Sequence, residues 1–277
     1  MRISIITVCY NAEDTIEQTI RSVVQQTYTN IEYIIVDGHS KDGTMDIVHS
    51  YDAQISTIIS EDDNGIYDAM NKGIRVATGD YIQFLGADDC LVDPYTIERV
   101  CNAICDDTDV FSAPCIAVNE RYHCEIVIES RDGEGRDHIV LPKLPHQGIF
   151  VKRELLKKKE FDITYQLAAD FKLLLTLYFK EQAKFQFVDF PVTYYSLGGA
   201  SSQYEVRVEE EDIRILEELA LMNYIRLPSR HYVRVTLKRF ARNTLDALNL
   251  WGWFLCTFKK WKQHHCTWEH CRWCKRS

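Results

Sequence analysis

The chain has 277 residues, 46% of them apolar, with only six prolines and twelve glycines. That suffices for one large domain with an appendage or two small ones, and excludes a low-complexity or disordered chain. The net charge of −9 is unevenly spread, because residues 226–277 hold 12 Lys and Arg against 2 Asp and Glu and the remainder stands at −19.

The opening residues Ile3-Ser4-Ile5-Ile6-Thr7-Val8 form a β-branched apolar run, the pattern of a buried strand. Residues 11–25 have helical spacing, with Ile16, Ile20, Val23 and Val24 on one face. Residues 31–36 are a second strand ending at Asp37-Gly38, after which Asp42-Gly43-Thr44 opens a short helix. Residues 55–59 predict a third strand, 66–76 a helix, and 81–85 a fourth strand that ends in Gly86-Ala87-Asp88-Asp89. From residue 109 the pattern changes. Residues 110–118 and 122–129 read as a hairpin, 149–152 as a strand, 168–179 as an apolar helix and 185–195 as strand-like again.

Strands alternating with helices predict an α/β fold with a mostly parallel sheet. Ligands of such sheets bind beyond the carboxyl ends of the strands, where Asp37, Asp88 and Asp89 fall. Adjacent carboxylates at a strand end suit Mg²⁺ or Mn²⁺, which take oxygen ligands and neutralise a diphosphate. Two acids in a solvated turn are the plainer alternative.

Four segments occur in order: Thr7-Val8-Cys9-Tyr10-Asn11, Val36-Asp37-Gly38, residues 63–74 (Asp63-Asn64-Gly65 through Ile74), and residues 79–89 (Gly79-Asp80-Tyr81 through Asp89). Together they resemble the family 2 glycosyltransferases, which have the GT-A fold. The pattern is nearest to enzymes of colanic acid and O-antigen assembly, and the resemblance covers about residues 2–200. It implies an inverting transfer of sugar from a nucleotide-diphosphate sugar, expected to be a UDP-sugar, to a saccharide or polyprenyl-diphosphate-linked acceptor. Residues 1–226 would be the catalytic domain, with a donor half (1–108) and an acceptor-side half (109–226).

The resemblance also implies roles. The loop from Thr7 to Asn11 would hold the nucleobase with Tyr10 near it, and Asp37 would meet base or ribose. The sequence departs from a common family pattern by carrying Gly38 where a second acid stands. Asp88 and Asp89 match the family's metal and ribose acids. Asn71 and Lys72 lie on the helix under the donor, where Lys72 could meet phosphate as a point charge or be simply solvated. Asp170, in Leu167-Ala168-Ala169-Asp170, opens an apolar helix whose N-terminus favours an anion. In resembling enzymes the acid here is the general base. His146 stands where the family often has a histidine near metal or acceptor, although a lone His is often only packed. The Gly- and Ser-rich residues 195–202 could close over the diphosphate.

The chain opens without a basic-then-apolar leader, and no run of about eighteen apolar residues occurs, so a cytoplasmic protein with reduced cysteines is expected. All five Trp lie in residues 227–277, a basic extension whose apolar residues Val233, Leu237, Phe240, Leu248, Trp251, Leu255 and Phe258 have mostly helical spacing. Such a helix would lie on an anionic membrane surface, making the enzyme peripheral on the inner face of the plasma membrane. Packing on the catalytic domain is the alternative. The Cys271-x-x-Cys274 pair with nearby His is compatible with zinc but lacks a second spaced pair. The acidic body argues against nucleic acid as a partner. Neither Gly-x-Gly-x-x-Gly after the first strand nor a P-loop occurs, so other nucleotide enzymes are disfavoured. A non-catalytic membrane scaffold with the same fold is the remaining rival, opposed by intact Asp88, Asp89 and Asp170.

Overall fold

The structure is a computed structural model that describes residues 1–119, 124–128, 144–196 and 205–221. The basic extension, residues 197–202 and part of the predicted hairpin lie outside the described residues. Strands β1 (Ile3–Cys9), β2 (Ile31–Asp37), β3 (Thr57–Ser60) and β4 (Tyr81–Gly86) alternate with helices α1 (Ile16–Val24), α2 (Thr44–His49) and α3 (Ile66–Val76). There follow β5 (Cys90–Leu91), α4 (Thr96–Ala103), β6 (Val110–Ser112), β7 (Cys115–Asn119), β8 (Cys124–Ile128), β9 (Ile149–Lys152) and α5 (Arg153–Lys158). The last elements are α6 (Ala169–Leu175), which runs on into a π-turn at Thr176–Lys180, β10 (Phe185–Phe187), β11 (Thr193–Ser196) and α7 (Glu205–Glu218).

The main sheet has the order β10-β6-β9-β4-β1-β2-β3, in which only β9 runs antiparallel to its neighbours. Both of its faces are covered, which is why its strands read as continuous apolar runs. Side chains alternate between two cores. Ile3, Ile5, Tyr33, Ile35, Tyr81 and Leu85 pack with α1 and α4 on one face. Ile6, Val8, Ile34, Val36, Ile82 and Phe84 pack with α3, α6 and α7 on the other. Cys9 pairs with Asp37 and Val8 with Gly86, so β1, β2 and β4 end together along one edge.

Two long strands read from sequence are each broken in two. Residues 110–118 divide into β6 and β7 around Pro114, and residues 185–195 into β10 and β11 around Pro191. A proline cannot donate to a ladder, so a strand stops or bends there. At both breaks the chain leaves the main sheet and enters a smaller one, ordered β5-β11-β7-β8. The predicted hairpin survives as the antiparallel pair β7 and β8. α4 and α5, absent from the sequence reading, are short helices of eight and six residues. Among the described residues, no helix is long and apolar enough to cross a membrane.

Candidate active site

The loop after β1 is locked to the loop after β2 by side chains that serve as backbone partners. Asn11 Oδ1 accepts the Lys41 amide, Thr44 Oγ1 accepts that of Ala12, Asp42 accepts that of Glu13, and the Glu13 carboxylate accepts that of Gly43. Asn11 takes a φ of 49°, which asparagine tolerates better than most residues. Tyr10 is thereby held outward, with 62% of its surface exposed. Thr7 is different. It is wholly buried and its hydroxyl lies 3.2 Å from that of Tyr33, so its side chain belongs to the core rather than to a ligand surface.

Asp37 is also fully buried, and its carboxylate is taken by the protein. Ser40 donates through both its amide and its hydroxyl, and Ser60 donates its hydroxyl at 2.7 Å. The acid therefore ties the ends of β2 and β3 together. Beside it, a Cβ on Gly38 would stand 2.5 Å from Asp63 Oδ2 and 3.5 Å from the Tyr10 ring. The carboxylate of Asp63 fills the space in front of this glycine, next to the exposed aromatic ring. Sequence reading gave Asp63 no role, because the approach is made across loops 25 residues apart.

Gly65, at φ 110°, gives α3 a start that other residues resist. Asp68 accepts the Asn64 amide and steadies this turn. Asn71 is engaged by the protein's own backbone. Its amide donates to the Phe161 carbonyl and accepts the Phe161 amide, both at 2.9 Å, and it is buried. Lys72 is mostly covered, and its Nζ bonds the Asp62 carbonyl at 2.6 Å and pairs with Glu61 at 3.1 Å.

The tight turn after β4 splits the two acids. Asp88 is exposed, yet enough protein crowds it to push its pKa up. Asp89 points inward, accepts the Gly86 amide at 2.9 Å and is only 3% exposed. Burial first, then the charge of Asp88, lifts its pKa to about 7, so Asp89 is not at an exposed strand end as its position in the sequence suggested.

Asp170, in the first turn of α6, meets α3 at this edge through Tyr67. Its Oδ1 accepts the Tyr67 hydroxyl at 2.8 Å, and its Oδ2 lies 3.4 Å from His146 Nδ1. Asp170 and His146 keep 24% and 31% of their side-chain surface open, so a substrate can reach them. Burial alone would raise the Asp170 pKa, but His146 and Tyr67 outweigh it and hold the carboxyl below its usual value. Burial opposes charge on His146 too, but Asp170, Asp89 and Asp88 together raise its pKa. His146, Asp170, Tyr67, Asp88 and Asp89 thus share one electrostatic neighbourhood. Tyr67 is both core and site, its ring packed on Phe161 at 5.3 Å and its hydroxyl on Asp170.

Among the described residues, no group of three or more His, Cys, Asp or Glu is placed to hold a metal ion. The donor set fits a shared mode instead. Mg²⁺ commonly uses one or two carboxylates and completes its shell with phosphate and water. The outward Asp88, next to the buried Asp89, suits that mode. His146 turns its Nδ1 to Asp170, which leaves Nε2 as the nitrogen that a metal could take.

Acids gathered at the carboxyl edge of a mostly parallel sheet, covered by helices on both faces, define an α/β fold of the class that binds its ligands at that edge. Residues 4–140 match the family described as Glycosyl transferase family 2. A stretch of 90 residues is 43% identical to TuaG of Bacillus subtilis, a glycosyltransferase assigned to teichuronic acid biosynthesis, covering 31% of this chain and 36% of TuaG. A stretch of 100 residues is 40% identical to a PGL/p-HBAD biosynthesis glycosyltransferase of Mycobacterium bovis, covering 35% and 39%. These matches span little more than a third of either relative. The fold is shared with S. aureus TarS 1-349 in complex with UDP-GlcNAc, at TM-score 0.64 and 21% identity over 89% of this chain and 73% of that one. It is shared equally with mannosyltransferase PcManGT from Pyrobaculum calidifontis in complex with GDP-Man and Mn²⁺, at TM-score 0.62 and 18% identity over 94% and 82%. Residues 4–140, about half of the chain, are thus those of a family 2 glycosyltransferase.

Proposed function

We propose that the protein transfers a sugar, with inversion, from a nucleotide-diphosphate sugar to a saccharide acceptor of surface-polysaccharide assembly. The observation that carries this reading is Asp170, an accessible carboxylate held between Tyr67 and His146 beside the acids that end β4. Kept ionised by its partners, Asp170 accepts the proton of the acceptor hydroxyl as that oxygen attacks the anomeric carbon. Tyr67 and His146 fix its orientation. Tyr10 offers a ring to the nucleobase, with Asp63 and the Asp37 turn behind it. Asp88 would hold Mg²⁺ or Mn²⁺, which when bound neutralises charge on the departing diphosphate. Asp89 braces the turn that presents Asp88.

The names of the relatives support a polymer or glycolipid acceptor, and a polyprenyl-diphosphate-linked one suits the basic, Trp-rich residues 227–277. That extension would bring the acidic body to an anionic membrane surface on the cytoplasmic side, with each Lys or Arg contributing on the order of 1 kcal/mol at low salt. The test is a panel of UDP- and GDP-sugars with Mn²⁺, Mg²⁺ or EDTA, followed by NMR of the product. Metal-dependent turnover of one donor with an inverted anomer is expected. A retained anomer, or full activity in EDTA, refutes the mechanism.

A further inference from the structure

We propose that Glu211 is a positioning residue for the base, acting on the turn that delivers Asp170; this rests on the reading of Asp170 as that base. Glu211 stands on α7, more than forty residues from that turn in sequence. Its Oε1 accepts the Gln166 amide at 3.0 Å, and its Oε2 accepts those of Leu167 and Ala168, each at 2.9 Å. These are the peptide units that lead into α6, where amide groups have no partner within the helix. One carboxylate therefore fixes three consecutive amides just before Asp170, through charge-assisted bonds stronger than neutral ones. The first turn then closes by the Lys172 amide on the Ala168 carbonyl at 3.0 Å.

The same helix grips the segment on either side. Glu218 accepts the Tyr165 hydroxyl and the Lys172 ammonium, both at 2.5 Å, and the Arg214 guanidinium lies 4.2 Å from the centre of the Tyr165 ring. The negative charge of Glu211 is also felt by the Tyr67 hydroxyl, the group that donates to Asp170.

Glu211 is not needed to dock α6. Leu173, Leu174 and Leu175 are buried in the same core as Ile215 and Leu216 of α7. Losing the carboxylate leaves that apolar contact in place and frees only the first turn. Asp170 would then drift from Tyr67 and His146, and a displacement of about 1 Å can cost roughly 10²-fold in rate.

The experiment is a double-mutant cycle in the full chain, with wild type, Glu211→Ala, Asp170→Asn and the double variant. The assay is release of nucleoside diphosphate from UDP-GlcNAc, or from whichever UDP- or GDP-sugar of the panel turns over. Glu211→Ala is expected to lower kcat roughly 10²-fold with the donor KM unchanged. Glu211→Gln, which keeps an acceptor oxygen, should recover part of the loss. The double variant should be no slower than Asp170→Asn alone. Wild-type kcat in Glu211→Ala, or losses that multiply in the double variant, would overturn the proposal while leaving the base reading intact. Wild-type turnover in Asp170→Asn would overturn the base reading, and the route through Glu211 with it. If Glu211→Ala does not fold, as judged by thermal melting, the cycle is run with Glu211→Gln under the same criteria.

Discussion

Two buried acids at opposite ends of the main sheet show how differently one fold can use a carboxylate. Glu32, near the amino ends of the strands, is 5% exposed and fully engaged. It accepts the hydroxyls of Ser4 and Thr78 and the amides of Thr78 and Gly79, and pairs with Arg2 at 3.4 Å. Burial would raise its pKa, but these donors outweigh it and hold it low. Asp89, at the carboxyl ends, is buried to the same degree, yet it has few donors and a neighbouring acid, and its pKa rises to about 7. The first arrangement spends a carboxylate on holding loops together. The second leaves a carboxyl short of donors beside another acid at the edge where a ligand enters, a strain that a bound cation would relieve.

The comparison is sharpened most by changing the reacting end. Asp170→Asn is expected to lower turnover by about 10²- to 10⁴-fold, the range of a general base, with little change in donor affinity by calorimetry. Asp88→Asn should lower cation-dependent turnover by about 10²-fold while the melting temperature holds or rises slightly, because a crowded negative charge is removed. A cooperative loss of stability in Asp88→Asn would break the contrast with Glu32.

Changes at braced positions should do the reverse. Asn71→Leu leaves both backbone groups of Phe161 unpaired in the core, so a loss of about 3 kcal/mol in urea denaturation is expected. Glu32→Gln should cost about 2 kcal/mol at neutral pH with kcat of the folded protein unchanged. Its pH dependence has a definite sign. A carboxyl with a depressed folded pKa contributes stability above its unfolded value of about 4.3 and loses it as pH falls through the folded value. Melting curves between pH 6 and pH 3 should therefore fall more steeply for wild type than for Glu32→Gln. Parallel curves would show that Glu32 is not held low.

Much of this was legible in the sequence, for reasons of period and placement. Apolar runs alternating with amphipathic segments set out β1 to β4 and α1 to α3 in order, because a sheet covered on both faces demands such runs. Acids directly after those runs had to lie at the ligand edge, and so Asp37, Asp88 and Asp89 could be named, whereas Asp170 could be named from the head of an apolar helix and from the family resemblance. Their division of labour could not. Which acid is braced depends on donors that arrive from elsewhere: Ser60 for Asp37, and Thr78 for Glu32. Asn71 and Lys72 carry polar groups suited to a ligand, yet the chain returns a backbone to each and uses them internally. Pro114 and Pro191 stood in plain view, but only the second sheet gave the halves of each broken strand separate places. Asp63 before Gly38, and Glu211 beneath the Asp170 turn, come from contacts 25 and some forty residues apart in the chain. Local sequence sets the period of each segment and the end at which its acids emerge. Whether a buried charge is satisfied or left for a ligand is decided by the long-range neighbours that only tertiary packing brings to it.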